Sequence, residues 1–353
     1  MEEQLDLFEI GFSDHRKFID GVFKTKEQLV DQFKEEGRCK IYHVLSFGGG
    51  TQSTHLLEQH LQGQIHYDYV IFADTGAEPQ FIHEQVAWWR ERQKVMGNTT
   101  PFLITHHKSM ERGLEEMLMR YLFTDYQRFQ LPVYCNKADP LTGEILPGGL
   151  MPRQCTVDFK IVPVKQLARQ MILKLHGLGP RQKMPDHIGI IMDIGFSLDE
   201  IRRVNTYQSP QYEYIRLAYP LIEENLTTQE SIDFLNDHGF PKRRSRCYLC
   251  PFNCSNPESG MDWREIIREE PFSFIKACWF DEQLRTIQAT GSKMMRSIPY
   301  LHFSRRPLKD VYPEYAVLSQ RYKSQLKTWL SEWEEYITNR WSAREATTVK
   351  NAG

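Results

Sequence analysis

VLSFGGGTQSTHLL, residues 44–57, decides how the rest of the chain is read. Gly48, Gly49 and Gly50 stand between an apolar run and an amphipathic run. KIYHVLSF, residues 40–47, predicts a buried strand, and residues 51–62 predict a helix. Glycine reaches positive φ and lets a backbone come close to a ligand. The first N–H groups of a helix have no intrahelical partner, and the helix dipole favours an anion there. Ser46, Thr51, Ser53 and Thr54 add hydroxyls, and Thr51 or Ser53 is expected to cap the helix. Strand, glycine turn and helix start together make a phosphate-binding device. A tight turn without a ligand is the competing reading. The loop lacks the Gly-Lys-Ser/Thr of a Walker A loop and the G-x-G-x-x-G spacing of a dinucleotide fingerprint.

The pattern repeats outward from this stretch. Apolar runs at 67–74, 101–107, 187–195 and 216–221 predict strands. Residues 80–95, 109–121, 164–176 and 227–238 predict helices, the last capped by Thr227 or Thr228. Alternation of this kind implies an α/β fold, a mostly parallel five-stranded sheet with helices on both faces, Rossmann-like. Such sheets bind ligands at the carboxyl ends of their strands. Residues 131–151, with Pro132, Pro140 and Pro147, break the rhythm and are expected to form an excursion or lid. The resulting division is an N-terminal extension 1–37 with a short helix at 25–35, a nucleotide-type domain 38–240, a cysteine-bearing and helical region 241–341, and a disordered tail 342–353. In the last helix, Leu318, Tyr322, Leu326, Trp329, Trp333 and Ile337 recur every three or four residues. They are expected to pack on the domain, with partner binding as the alternative.

Composition narrows the class. The 353 residues are 41% hydrophobic and 25% charged, ordinary globular usage, and the net charge of −2 draws the chain to neither nucleic acid nor membrane as a whole. No apolar run reaches the roughly 20 residues of a membrane span, and the acidic N-terminus has no apolar signal core, so a cytoplasmic protein is expected. Seven cysteines, an odd number, argue against a disulfide framework.

Further segments complete a pattern. Ser46-Phe47-Gly48-Gly49-Gly50-Thr51-Gln52-Ser53 resembles the S-G-G-x-D-S pyrophosphate loop of the adenine-nucleotide α-hydrolase superfamily. The chain is most similar to the branch of that superfamily named for phosphoadenosine phosphosulfate (PAPS) reductase, near the DNA phosphorothioation sulfurtransferase group. Gln52 stands where the family carries an acid, and glutamine is a poorer magnesium ligand than a carboxylate. FADTGAEP, residues 72–79, resembles the D-T-G-x-E stretch after the second strand. Its Asp74, Thr75, Gly76 and Glu78 are thereby implied in nucleotide binding. Glu78 and Pro79 also suit a plain helix start. PRQCTVDFKIVPVK, residues 152–165, resembles the family's R-x-C-T signature. It implies Arg153, Cys155 and Lys160 as catalytic or anion-binding groups, against a basic helix start with a buried cysteine. GFSLDEIRRV, residues 195–204, resembles the segment after the fourth strand, offering Gly195, Asp199, Glu200, Arg202 and Arg203. A solvated helix face explains the same charges.

KRRSRCYLCPFNC, residues 242–254, joins a basic run to a C-x-x-C pair. Two thiolates at that spacing chelate a metal from one turn, three or four hold an iron–sulfur cluster, and a C-x-x-C pair also serves redox exchange. The resemblance implies that Cys155 joins Cys247 and Cys250, with Cys254 or Cys278 as a fourth ligand, around a [4Fe–4S] cluster or zinc. Lys242, Arg243, Arg244 and Arg246 suit an anion or a solvated loop. The cysteine-bearing E-C-G-L-H segment of assimilatory PAPS reductases is absent. The leading expectation is an enzyme that takes ATP with Mg²⁺, adenylylates an acceptor, releases pyrophosphate and transfers sulfur, with a nucleic acid or a sulfur-donor protein as partner. The alternatives are a PAPS reductase-type oxidoreductase and a nucleotide-binding module without catalysis.

Overall fold

The computed structural model of the chain describes residues 23–139, 141–204, 210–256 and 261–342. The start of the N-terminal extension and the tail from 343 lie outside the described residues. In chain order the strands are β1 Lys40–Phe47, β2 Tyr69–Ala73, β3 Phe102–Thr105, β4 Tyr134–Ala138, β5 Ile145–Leu150, β6 Ile188–Ile194 and β7 Ile215–Ala218, followed by shorter ones. Five of them form one all-parallel sheet in the order β3-β2-β1-β6-β7. The chain builds outward from β1 to β2 and β3, then returns to β6 and β7 on the other side. Strand order therefore switches at β1 and β6, where open parallel sheets place their ligands.

The apolar runs explain these strands. All five residues of β2 are buried, the pattern of a strand covered on both faces. In β6, Ile188, Ile190 and Met192 pack with Val164, Ala168 and Ile172 of the helix Val162–Leu175. Ile191 points the other way, to Leu29 and Phe33 of the helix Lys26–Glu35. Helices thus cover both faces, as alternation along a strand requires. Two capping boxes start helices as the sequence suggests: Thr25 with Gln28, and Thr227 with Glu230. Asp193, a charge inside β6, has one oxygen held by Lys26 Nζ and Tyr67 Oη, both at 2.8 Å, while its Oδ1 is buried without a partner.

Two compact units are present, and they interleave along the sequence. One comprises residues 1–73, 84–105 and 161–245 and contains the whole parallel sheet. The other comprises 74–83, 106–160 and 246–353. A linear division near residue 240 does not describe them.

The second unit is built on the helices Gly113–Phe123, Trp263–Glu269 and Pro271–Ala289. Residues 131–151, expected as an excursion or lid, contain regular structure. Their core is the antiparallel pair β4 and β5, joined on the β4 side by the strand Ile298–Tyr300. The tail helix is interrupted at Tyr322, giving Tyr315–Arg321 and Lys323–Ile337. Its apolar face packs on this core: Trp333 is buried, and Leu318, Tyr322, Leu326, Trp329 and Ile337 lie against the same cluster. Cys278 is buried there too, on the helix Pro271–Ala289. Among the described residues no helix is long and apolar enough to cross a membrane.

Candidate functional site

The first unit presents the glycine loop at the carboxyl end of β1. Ser46 pairs with Ile71 of β2 and ends the pairing with β6 at Ile194, and Phe47 still pairs with Phe72 of β2. Phe47 is buried, its ring crossing that of Phe102 at 72° with the ring centres 5.3 Å apart, and belongs to the core. Gly49 has φ +69°, a conformation that favours glycine. The helix Thr51–Leu61 then begins with Gly50 as its N-cap, without a side-chain cap. Neither Thr51 nor Ser53 caps it. Ser53 Oγ instead folds back, accepting from Gly48 N at 3.1 Å and donating to Gly50 O at 3.1 Å. Thr54 Oγ1 donates to the same carbonyl at 2.7 Å. The turn is closed by its own hydroxyls. Thr51 Oγ1 is buried without a partner at the helix start.

Two other segments of this unit reach the loop. A Cβ on Gly195, just after β6, would lie 2.7 Å from Ser53 N, so only glycine lets the two loops meet at the switch in strand order. On the other side, Gln85 is buried, and its Nε2 donates to Gly49 O at 2.6 Å and Arg243 O at 3.0 Å, while Arg243 N donates to its Oε1 at 2.7 Å. The basic segment 242–244 is thereby tied to the glycine loop. A Cβ on Gly50 would stand 3.1 Å from Ser245 N. Nothing in the sequence singles out Gln85: a lone glutamine in an aromatic-rich helix has no motif to reveal it.

Gln52 Nε2 is engaged by Glu200 Oε2 at 3.1 Å, Thr228 Oγ1 at 3.2 Å and Ser197 Oγ at 3.5 Å. Glu200 also pairs with Arg203. Asp199 accepts from Thr228 N at 2.8 Å and Thr228 Oγ1 at 2.6 Å. Burial pushes the Asp199 carboxyl up, but these bonds outweigh it and hold it below its usual range.

The expected residues of the segments 74–78, 153–160 and 247–250 belong to the second unit. Asp74 Oδ1 accepts from Gly76 N at 2.8 Å, and His106 Nδ1 lies 3.8 Å from its other oxygen. Glu78 is buried and accepts from Thr75 N at 2.8 Å and Thr75 Oγ1 at 2.7 Å. Lys160 Nζ approaches Glu78 Oε1 at 3.6 Å, and Cys247 Sγ lies 3.2 Å from Thr75 Oγ1. The D-T-G-x-E turn, the R-x-C-T segment and the C-x-x-C turn thus converge. Lys160 rides a π turn, Val157–Ile161, inserted between Gln154–Thr156 and the helix Val162–Leu175, a distortion common at functional positions. Arg153 stacks over Phe252 at 5.4 Å.

The electrostatics are those of buried thiols beside a cation. Burial pushes the Cys247 thiol well above its ordinary value, and Glu78 adds to this. Burial, then the neighbouring Cys250, raises the Cys155 thiol, while Arg153 and Lys160 pull it down. Burial also lifts the Glu78 carboxyl against the pull of Lys160. Burial lowers Lys160, but Glu78, Cys247 and Cys155 outweigh it and raise its pKa overall. Cys155, Cys247 and Cys250 are soft donors suited to zinc or iron. Among the described residues, however, no three His, Cys, Asp or Glu side chains are arranged to hold a metal ion, and the Cys254 side chain lies outside the described residues. No protein-family model matches the chain, and no curated protein matches it.

Proposed function

We propose that the protein is an adenine-nucleotide enzyme akin to the PAPS reductase-like branch, which adenylylates an acceptor and couples this to sulfur transfer. One observation carries the reading. A closed glycine turn, with Gly49 in the left-handed region and a buried, unpartnered Thr51 hydroxyl, starts a helix at the switch in strand order. That is where a parallel sheet offers backbone N–H groups to phosphate.

In this reading the N–H groups of Gly49, Gly50 and Thr51 bind the phosphates. An acceptor oxygen attacks the α-phosphorus, the bridging P–O bond breaks, and pyrophosphate leaves with the electron pair. The same N–H groups stabilise the charge that develops. In the second unit, Arg153 and Lys160 are the proposed anion-binding cations, and Cys155, Cys247 and Cys250 the sulfur-carrying groups. The same thiols are the groups that would hold a [4Fe–4S] cluster or zinc, with a further ligand from outside the arrangement among the described residues. The similarity to the DNA phosphorothioation group makes nucleic acid the proposed acceptor class.

The test is pyrophosphate release from ATP by the full chain in the presence of an oligonucleotide and a sulfur donor. Release that falls at least tenfold in Cys247→Ser, with ATP affinity retained, is the expected result, corresponding to about 1.4 kcal/mol or more of lost transition-state stabilisation. Sulfite release from PAPS without any pyrophosphate from ATP would replace this reading with the reductase.

A further inference from the structure

We infer that the glycine loop takes its nucleotide as the bare anion, with no divalent cation bridging phosphate and protein, and that the basic segment 242–244 supplies the compensating charge. The inference rests on the nucleotide reading above and specifies how that site handles charge.

The resemblance implies a magnesium ion held by an acid in the loop. The residues present do not fit one. The position is Gln52, a neutral side chain, and its amide nitrogen is directed to Glu200, Thr228 and Ser197. The two carboxylates nearby are also committed. Glu200 is bonded to both Gln52 and Arg203. Asp199 has an oxygen on each of the Thr228 donors, N–H and hydroxyl. A divalent cation prefers carboxylate oxygens and near-ideal octahedral geometry. Recruiting either acid would break an ion pair or a bidentate cap.

The charge of the phosphates must still be met, and fixed groups can meet it. The helix Thr51–Leu61 directs its unpaired N–H groups and the positive end of its dipole at the loop. Gln85 ties the backbone at Arg243 to the carbonyl of Gly49, which keeps Lys242, Arg243 and Arg244 on a segment bordering the turn. Gly50, whose Cβ would press on Ser245 N, shows how closely that segment approaches. Two buried hydroxyls without partners belong to residues next to Gly50: Thr51, which follows it, and Ser245, whose N and Cβ its Cβ would meet. Buried polar atoms in native proteins find partners, and a phosphate oxygen offers an acceptor to both. Cations on a tethered backbone play the part that a hydrated magnesium ion plays where a carboxylate is available.

The experiment is calorimetric titration of the full chain with ATP and with AMP, in excess magnesium and again in EDTA. A second protein, Arg243→Ala/Arg244→Ala, is titrated alongside. The expected result is an affinity that changes less than about twofold on removing magnesium and falls roughly tenfold or more in the double variant under both conditions, the range for losing charge-assisted hydrogen bonds. Circular dichroism of the double variant establishes that it is folded. A loss of ATP affinity of tenfold or more in EDTA overturns the inference and leaves the nucleotide reading standing. An unchanged affinity in the folded double variant also overturns it, because the charge is then met elsewhere. Absence of any ATP or AMP binding, with or without magnesium, overturns the nucleotide reading and the inference together.

Discussion

Gly50→Val abolishes ATP binding while the protein stays folded. Gly50 has extended backbone, φ −104° and ψ 174°, so valine meets no conformational obstacle. The obstacle is space. A Cβ there already lies 3.1 Å from Ser245 N and 3.3 Å from Ser245 Cβ, tighter than ordinary van der Waals contact. The two further methyl groups of valine must push the 242–245 segment off the loop or cover the N–H groups that face the ligand. Either displaces the charge and the donors together. The expected loss is at least about 100-fold in affinity, or about 2.7 kcal/mol. Because the strain falls on a turn and not on the sheet, the melting temperature should drop by only a few degrees. Calorimetry on the folded variant checks this, and an unchanged affinity would mean that the loop is a turn and nothing more.

Gly113→Ala produces the largest stability loss in the second unit. Gly113 has φ +58°, and an added Cβ would fall 1.9 Å from Thr75 O. The same carbonyl accepts from Leu114 N at 2.7 Å, so it cannot move away without losing that bond. Left-handed strain of roughly 1–2 kcal/mol adds to overpacking of similar or larger size, giving about 3–5 kcal/mol. Displacing Thr75 also disturbs its bonds to Glu78 and its contact with Cys247. Gly143→Ala is the control. Gly143 has φ +73° with nothing within 4 Å of its Cβ, and should cost only about 1 kcal/mol. Urea unfolding of both proteins decides the matter, and equal losses would contradict the packing argument.

The parallel sheet was readable because its strands are apolar runs separated by helical periodicity, as β2 and β6 illustrate. The β4–β5 hairpin was not, because Pro147, Gly148 and Gly149 argue against a strand. β5 is an edge strand paired only with β4, where proline is tolerated. Gly148 is needed there, since a Cβ would lie 2.8 Å from Cys135 O. The cap of the helix Thr51–Leu61 was misjudged for a local reason: Ser53 spends its hydroxyl inside the turn. The interleaving of the two units leaves no signal at any single boundary. The convergence of Thr75, Glu78, Lys160 and Cys247 is different. The resemblance implies that the R-x-C-T and C-x-x-C segments meet, but the contacts of Lys160 with Glu78 and of Cys247 with Thr75 are properties of the fold.

The central claim is that the turn 48–51 holds the phosphates of an adenine nucleotide. A crystal structure of the full chain with a non-hydrolysable ATP analogue tests it most directly. The account predicts phosphate oxygens within hydrogen-bond reach, about 2.7–3.2 Å, of the backbone nitrogens of Gly49, Gly50 and Thr51. An analogue bound elsewhere on the protein, with this turn left to its own hydroxyls, would contradict it.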